Sequence, residues 1–265
     1  MGNSAIPRRV ATSVFGATRA GLRRFGMDLH RVETKVDPAV RADDDLYYHP
    51  TRSCQIPNLG FLYELFLGRQ SDGVFVEVGA FDGISWSNTS CLAEVGWRGL
   101  LIEPVPEFAE QCRSRYAGNE LIEVIQCAAG ASDAQIKLMV GGSLTTASEA
   151  LAAEYRDIEW SKSLAERMVS IEVRQARLDD LLAERGIEPG FDVIVVDVEG
   201  FEAEVFAGFS IERWRPRMLI VELADTHPDL VTTRGSDAVL SRSITSAGYD
   251  IVYKDSINTM FVRRD

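Results

Sequence analysis

Cysteine is scarce in this chain, and no stretch of it is apolar enough to suggest a membrane span. The four cysteines, Cys54, Cys91, Cys112 and Cys127, are well separated and form no C-x-x-C pair. This spacing predicts neither a zinc site nor a disulfide framework, and it favours a reducing, cytoplasmic location. No apolar run approaches the ~20 residues that a membrane-spanning helix needs. Internal repeats and low-complexity linkers are also missing.

Positive charge is scarce as well, and it is unevenly placed. The 265 residues carry a formal charge of -12. Residues 1–36 hold seven Lys or Arg against two acids, whereas the remaining chain holds 21 against 38. An acidic body argues against a surface that tracks phosphates, so no nucleic acid partner is expected. The composition, 46% apolar and 26% charged, is that of an ordinary globular protein.

The basic N-terminal segment shows no strong strand signal. We expect residues 1–50 to form an arm ahead of a domain that spans residues 51–265. Residues 10–15 and 22–25 fit a basic amphipathic helix. Two interpretations remain open for this arm: it docks on the domain, or it makes peripheral contact with a membrane surface or a partner.

Beyond the arm, short apolar runs alternate with amphipathic stretches, which predicts βαβ units and a mostly parallel sheet. The predicted strands are 74–78, 99–103, 121–127, 136–140, 169–173, 193–197, 218–223, 250–253 and 259–263. The predicted helices are 59–67, 87–94, 107–116, 178–184, 202–206 and 237–247. The last two strands are separated by only five residues, too few for a helical crossover, so we expect an antiparallel terminal hairpin. The sequence therefore predicts a Rossmann-like α/β domain with helices on both faces.

The clearest motif lies where the first strand runs into a turn with two glycines, V-E-V-G-A-F-D-G at residues 76–83. Gly79 lets the backbone turn sharply and approach a ligand, because it carries no Cβ. Backbone N–H groups at the start of the next helix are expected to hold an anionic group such as a carboxylate. Ser87 and Asn88 either cap that helix or contact the ligand.

Glu103 ends the second strand, twenty residues after Gly83. A carboxylate at that point suits two ribose hydroxyls. A dinucleotide-binding dehydrogenase would also place an acid there, but its G-x-G-x-x-G pattern admits a pyrophosphate. Here Phe81 stands where the middle glycine would be. The pattern favours S-adenosylmethionine, which has no pyrophosphate; an ordinary strand–turn–helix without a ligand is the alternative.

Three carboxylates and a histidine follow the later strands. Asp197 and Glu199 lie at the end of one strand, Glu222 lies near the end of the next, and His227 follows soon after. Ligands bind beyond the carboxyl ends of the strands in an open α/β sheet, so we expect these side chains in one cleft. An acid or His227 would then act as a base, or the three carboxylates would hold a divalent cation that polarises a hydroxyl. The alternatives are acids that cap helices or pair with arginines, and a structural histidine.

Two other polar stretches are less specific. The loop G-G-S-L-T-T at residues 141–146 follows a predicted strand, and we interpret it as part of a substrate lid. Lys254 and Asp255 fall at the turn of the terminal hairpin, where solvation is the simplest expectation.

Taken in order along the chain, these motifs resemble the FkbM family of methyltransferases. The resemblance covers residues 54–262 and rests on F-V-E-V-G-A-F-D-G (75–83), S-N-T (87–89), G-W-R-G-L-L-I-E-P (96–104), L-D (178–179) and V-D-V-E-G-F-E (196–202). It implies a class I, Rossmann-like methyltransferase fold, whose parallel sheet ends in an antiparallel hairpin. It also implies that S-adenosylmethionine methylates a hydroxyl group of a sugar, a glycan or a natural product, so the expected partner is a small-molecule or glycan acceptor.

The resemblance implies roles for individual residues. The residues that it assigns to the cofactor are Glu77, Gly79, Asp82, Gly83 and Glu103, and those that it assigns to the reaction site are Asp197 and Glu199. From the local motifs we add Ala80, Ser87 and Asn88 on the cofactor side, and Glu222 and His227 on the catalytic side.

Two functions of other classes stay open at this point. A nucleotide-dependent oxidoreductase or epimerase would use the same fold, but the missing middle glycine disfavours it. A non-catalytic scaffold with a basic arm is the second, and the acids at the strand ends speak against it.

Overall fold

A seven-stranded sheet organises residues 46–264, the part of the chain that the computed structural model describes. Most of the arm predicted for residues 1–50, including both of its helical stretches, lies outside the described residues. The role of the arm therefore stays a prediction. The first described residues already belong to the folded body: Tyr48 is fully buried, and its hydroxyl donates a 2.9 Å hydrogen bond to the Gly68 carbonyl.

Ten strands form two sheets in this part of the chain. They are β1 (Val74–Val78), β2 (Arg98–Ile102), β3 (Ile122–Ile125), β4 (Ala128–Gly130), β5 (Ala134–Val140), β6 (Val169–Arg177), β7 (Val193–Val196), β8 (Met218–Glu222), β9 (Tyr249–Lys254) and β10 (Asn258–Arg263). The larger sheet has the order β3-β2-β1-β7-β8-β10-β9. Its strands are parallel except that β10 runs antiparallel to both neighbours. The predicted antiparallel terminal hairpin is confirmed.

Helices cover both faces of the larger sheet. They are α1 (Leu59–Leu67), α2 (Ser90–Glu94), α3 (Pro106–Arg115), α4 (Glu149–Asp157), α5 (Glu159–Ala165), α6 (Leu178–Glu184), α7 (Glu202–Ala207), α8 (Ile211–Trp214) and α9 (Arg234–Ser246). Successive strand residues point to opposite faces. In β1, Phe75 belongs to an apolar cluster with Leu59 of α1, whereas Val76 belongs to one with Leu181 of α6. The predicted Rossmann-like class is confirmed.

The strand order reverses between β1 and β7, and this reversal positions the site. The chain runs from β1 outward through β2 and β3, then returns to the other side of β1 with β7 and continues to β8. The connections on the two sides lead away from each other, which leaves a crevice above the carboxyl ends of β1 and β7.

Residues 128–177 differ most from the sequence prediction. The strands predicted at 136–140 and 169–173 are present, but they pair with each other as β5 and β6 in a separate sheet of order β4-β6-β5. The strand predicted at 121–127 is present as β3, two residues shorter at its end, and β4 in the separate sheet was not predicted. Several residues of β5 and β6 are exposed, as in an antiparallel pair with one solvated face. Helices α4 and α5 were not predicted.

The described residues include all four cysteines, and each is free. Cys91, Cys112 and Cys127 are buried, and burial raises the pKa of each thiol. They pack as small apolar residues. Among the helices of residues 46–264, none is both long and apolar enough to cross a membrane.

Asp179, in the L-D motif at the start of α6, anchors the segment around α8. Its carboxylate accepts hydrogen bonds of 2.7 Å from the main-chain N–H of Ser210 and from Nε1 of Trp214. Burial alone would raise the pKa of Asp179, but the hydrogen bonds from Ser210 and Trp214, with Arg177 nearby, lower it below its ordinary value. The residue therefore has a structural role at a distance from the crevice.

Replacing Asp179 by alanine should lower the free energy of unfolding by about 2 to 3 kcal/mol, because the N–H and Oγ of Ser210 and the buried Nε1 of Trp214 lose their acceptor. Urea denaturation checks this value. The matched control is Asp180→Ala, whose side chain is 56% exposed and should change stability by about 0.5 kcal/mol or less. Equal effects of the two substitutions would show that the hydrogen bonds of Asp179 contribute little.

Candidate active site

A cavity of about 590 Å³ opens above the carboxyl ends of β1, β2, β7 and β8. Its size falls in the range that is usual for small-molecule sites. The predicted site residues that line it are Glu77, Gly79, Ala80, Ser87, Asn88, Glu103, Asp197, Glu199, Glu222 and His227. Asp82 and Gly83 do not line it. The sheet thus brings residues from four strand ends into one space.

Position 79 must be glycine because the main chain just after the adjacent strand β7 lies against it. It adopts a φ of +88°, and a Cβ at this position would lie 1.7 Å from the carbonyl oxygen of Asp197. The sharp turn is as expected, and Gly79 also lines the cavity. However, the missing Cβ makes room for main chain at the end of β7, where the sequence analysis expected a ligand.

In the loop after β1, side chains of the loop accept hydrogen bonds from its own main-chain N–H groups. Asp82 Oδ1 accepts the main-chain N–H groups of Ile84 and Ser85, at 2.9 and 2.6 Å. Ser87 Oγ accepts those of the residues two and three positions later, at 3.2 and 3.1 Å. The next helix, α2, begins only at Ser90. Side chains of the loop thus bind the N–H groups of Ile84, Ser85, Thr89 and Ser90, and an anion at the helix start stays a prediction.

Glu77 lies in β1 with its side chain buried at the base of the cavity. Its carboxylate accepts hydrogen bonds from Ser87 Oγ at 3.1 Å and from Thr89 Oγ1 at 2.8 Å. Burial outweighs these hydrogen bonds and raises the pKa of Glu77 to about 7. Glu77 thus holds the loop that follows β1 against the strand from which the loop departs.

Glu103 joins the turn after β1 to the segment after β2. Its Oε2 accepts the N–H of Phe81 at 2.9 Å, and its Oε1 accepts the N–H of Val105 at 2.8 Å. Burial raises its pKa to about 7. Each carboxylate oxygen can accept more than one hydrogen bond. Glu103 lines the cavity and so retains acceptor capacity for a ligand there.

Phe81 occupies the sequence position at which a dinucleotide-binding loop would carry a glycine. It adopts a left-handed φ of +49°. Its ring lies edge to face against Phe108, with 4.6 Å between ring centroids, and both rings line the cavity. This wall is therefore aromatic and apolar, which suits the flat ring of a nucleoside better than a pyrophosphate.

Asp197, Glu199 and Glu222 form a compact group, named the acid cluster from here on. One carboxylate oxygen from each lies within 4.8 Å of those of the other two. The three carboxylates lie close together because β7 and β8 are adjacent parallel strands. Val196 at the end of β7 is in register with Val221 in β8, so the residues that follow both strands are neighbours.

The turn that carries two members of the acid cluster is held in an unusual conformation. Glu199 adopts a φ of +52°, in the left-handed region. Glu202 Oε1 accepts the N–H groups of Val198 and Gly200 at 3.0 and 3.3 Å, and Thr146 Oγ1 donates to the Glu199 carbonyl at 2.6 Å. Neighbouring side chains thus fix this turn from both sides.

Burial raises the pKa of every carboxyl in the acid cluster. Burial is the main cause for Asp197; for Glu199 the charge of Asp197 adds to it, and for Glu222 the charge of Glu199 does. The hydrogen bond between Asp197 and Glu222 opposes the rise in pKa at Asp197 and adds to it at Glu222. Carboxylates with raised pKa values are suited to accept protons from a substrate.

His227 also lines the cavity, but its ring is oriented as a donor. Its Nδ1 accepts the main-chain N–H groups of Asp229 and Leu230, both at 3.1 Å. A neutral imidazole that accepts at Nδ1 carries its proton on Nε2. In this arrangement His227 therefore offers an N–H group, and not a lone pair, at Nε2.

Two aromatic residues of the site were missed by the sequence analysis. Tyr155 of α4 is buried and donates its hydroxyl to Glu199. Trp160 of α5 lines the cavity with 52% of its surface exposed. A local signal for α4 was present, since Ser148 is a good helix N-cap and accepts the N–H of Leu151 at 3.1 Å. The loop at residues 141–146 also reaches the cavity at its 3-10 turn, Gly142–Leu144, and its role as a lid stays a prediction.

The β9–β10 connection is part of the site and is not a solvated turn. Asp255 lines the cavity and accepts the N–H groups of Ile257 and Asn258 at 2.8 and 2.7 Å. Lys254 pairs with both carboxylate oxygens of Asp225 at 2.7 Å. The sequence does not predict that this connection lines the cavity, because β10 lies next to β8 only in the folded sheet.

Comparison with known protein families gives one match. The methyltransferase FkbM domain family matches residues 77–251. This segment runs from Glu77 into β9 and includes the acid cluster, Glu103 and His227. No curated protein matches the chain at a significant level.

Solved structures with related folds share little sequence with this chain. An FkbM methyltransferase from Methylobacillus flagellatus KT is 17% identical with a TM-score of 0.44, and the match covers 72% of this chain but only 44% of that protein. The O-methyltransferase TomG from Streptomyces achromogenes, involved in tomaymycin synthesis and solved with SAM, is 17% identical with a TM-score of 0.43 and 78% of each chain covered. An O-methyltransferase from Bacillus cereus, solved with SAH, is 14% identical with a TM-score of 0.44, over 80% of this chain and 84% of that one.

Proposed function

The chain belongs to the FkbM family of S-adenosylmethionine-dependent methyltransferases, and from this premise we propose that it methylates a hydroxyl group of a sugar, a glycan or a natural product. The observation that carries this proposal is one cavity with two different acidic walls. Glu103 offers hydrogen-bond acceptors on one side, and the acid cluster offers proton acceptors on the other.

The wall formed by β1 and β2 fits the cofactor. Glu103 has acceptor capacity left for two ribose hydroxyls, while Phe81 and Phe108 provide an apolar surface in place of a pyrophosphate site. When bound, S-adenosylmethionine supplies a methyl group on a positively charged sulfonium. The chain's contribution on this side is to orient the nucleoside and to keep its hydroxyls bonded.

The wall formed by β7 and β8 fits the acceptor. Glu103 follows β2 and Asp197 follows β7, on opposite sides of β1. Two strand spacings of ~4.8 Å separate these strands, which leaves room for a second ligand beside the first. Asp197 takes the hydroxyl proton, because its hydrogen bond with Glu222 favours the ionised form of Asp197 over that of Glu222. His227 Nε2 donates a hydrogen bond that orients the acceptor.

A divalent cation is a second candidate for the acceptor side. The acid cluster places three carboxylate oxygens within 4.8 Å of one another, and Mg²⁺ prefers oxygen ligands of this kind. Asp197, Glu199 and Glu222 would hold the ion, and it would supply Lewis-acid polarisation of the acceptor hydroxyl.

Glu103→Ala should weaken the binding of S-adenosylhomocysteine by about 1.5 to 3 kcal/mol, the scale of charge-assisted hydrogen bonds. Isothermal titration calorimetry measures the loss, and circular dichroism checks the fold. The control is Glu107→Ala, an exposed acid of α3 outside the cavity, which should bind as the parent does. Unchanged affinity in a folded Glu103→Ala protein would remove Glu103 from the cofactor site.

Asp197→Asn, Glu199→Gln and His227→Ala should each retain S-adenosylhomocysteine binding, because none lies on the β1–β2 wall. We expect Asp197→Asn to slow methyl transfer by ~10²-fold or more, the usual range for loss of a general base. The assay follows S-adenosylhomocysteine release with an acceptor found in a panel of sugars and natural products. Glu204→Gln, an exposed acid of α7, is the control. Parent-like rates in all three variants would place catalysis elsewhere.

Chelation distinguishes the two candidates for the acceptor side. Without a metal, the parent enzyme should keep its rate in EDTA, because Asp197 accepts the proton directly. With a metal, EDTA should abolish the rate, Mg²⁺ or Mn²⁺ should restore it, and Glu222→Gln should no longer respond. The same acceptor assay decides between these outcomes.

A further inference from the structure

The cavity is lined by several acidic side chains. Its carboxyl groups belong to Glu77, Glu103, Asp197, Glu199, Glu222 and Asp255. Among the described residues that line it, none is lysine or arginine. The nearby Lys254 is paired with Asp225, and Arg234 donates to the His227 carbonyl at 2.7 Å. Neither cation lines the space in which an acceptor would lie.

The six acids differ in their hydrogen-bond partners. Hydroxyl or main-chain N–H groups hydrogen-bond Glu77, Glu103 and Asp255. The acid cluster has instead the Tyr155 hydroxyl, the Gln55 side chain and its own members as partners. An anionic ligand group placed here would lie among carboxyl groups in a partly desolvated space and oppose their ionisation, whereas an ammonium group would favour their ionised forms.

Aromatic surface at the cavity favours the same ligands. Trp86 and Trp160 line the cavity and are 51% and 52% exposed. Trp160 Nε1 donates to Asp229 at 3.2 Å, which restrains the indole beside His227. The face of an indole ring carries negative charge density and attracts cations and apolar C–H groups, but not anions.

We propose that this cavity selects acceptors that carry no phosphate, sulfate or carboxylate, and that an amine-bearing acceptor binds better than a neutral one of the same shape. The inference rests on the proposed function, since it concerns the acceptor of that reaction. It excludes nucleotide-linked sugars and uronates from the acceptor side and favours neutral or amino sugars and basic natural products.

Tryptophan fluorescence tests the charge of the cavity before any acceptor is known. The chain has four tryptophans; Trp97 and Trp214 are buried, so quenching by solutes reports on Trp86 and Trp160. The probes are caesium, acrylamide and iodide at equal ionic strength in EDTA, each normalised to free N-acetyltryptophanamide. We expect the normalised caesium constant to exceed the iodide constant by ~2-fold or more, since an acidic cleft concentrates cations.

A matched pair of variants locates the effect. Asp197→Asn, Glu199→Gln and Glu222→Gln combined should remove the caesium preference. Glu107→Gln, Glu188→Gln and Glu204→Gln combined remove the same number of carboxyl groups at exposed sites outside the cavity and should retain the preference. The proposal is overturned if iodide quenches as well as caesium, or if the cavity variant keeps the preference. Because quenching needs neither cofactor nor turnover, its outcome is independent of the tests of the proposed function.

Discussion

The site depends on a main-chain contact between the ends of β1 and β7. Gly79 has no Cβ, and the carbonyl of Asp197 occupies the space where one would be. Hydrogen bonds continue the sheet up to this contact, since Asp197 N–H donates to Val78 and Gly79 N–H donates to Ile102. The turn after β1 and the turn that carries the acid cluster therefore meet at the switch point of the sheet. Any side chain at position 79 would separate them.

Buried acids on the two walls of the cavity have different hydrogen-bond partners. On the wall formed by β1 and β2, Glu77 and Glu103 accept hydrogen bonds from hydroxyls and main-chain N–H groups, and these bonds also hold the turns in place. On the wall formed by β7 and β8, the three carboxyls of the acid cluster lie close to one another, and Tyr155 donates to Glu199. Burial raises pKa values on both walls, but on the second wall the charges of neighbouring cluster members are a further leading cause for Glu199 and Glu222. This difference is the reason why we propose cofactor binding for the first wall and proton transfer for the second.

The sequence was most informative where local pattern and burial agree. Strands β1, β7 and β8 are apolar at nearly every position, because both faces of a central parallel strand are buried. Their ends carry Glu77, Asp197 and Glu222, so the cluster of acids could be predicted from the sequence. The antiparallel hairpin followed from the length of its connection alone.

The remaining parts of the site depend on contacts between distant residues. Tyr155 donates a hydrogen bond to Glu199, which is 44 residues away in the sequence, and no local sequence pattern predicts this contact. Strands β5 and β6 have the pattern of strands, but the pattern does not state which sheet they join. The orientation of His227 follows from two N–H groups of the turn after it, which is a property of the folded loop. The arm at residues 1–50, and its contact with a membrane or a partner, stay predictions.

Calorimetric titration with S-adenosylhomocysteine and with NAD tests most directly whether Phe81 and Glu103 together form a site for a nucleoside without a pyrophosphate. S-adenosylhomocysteine should bind with micromolar affinity, because Glu103 accepts from the ribose and Phe81 leaves an apolar wall. NAD should give no heat of binding, because its pyrophosphate would meet the Phe81 side chain where a glycine is needed. Tight binding of NAD without binding of S-adenosylhomocysteine would contradict this assignment of the cavity.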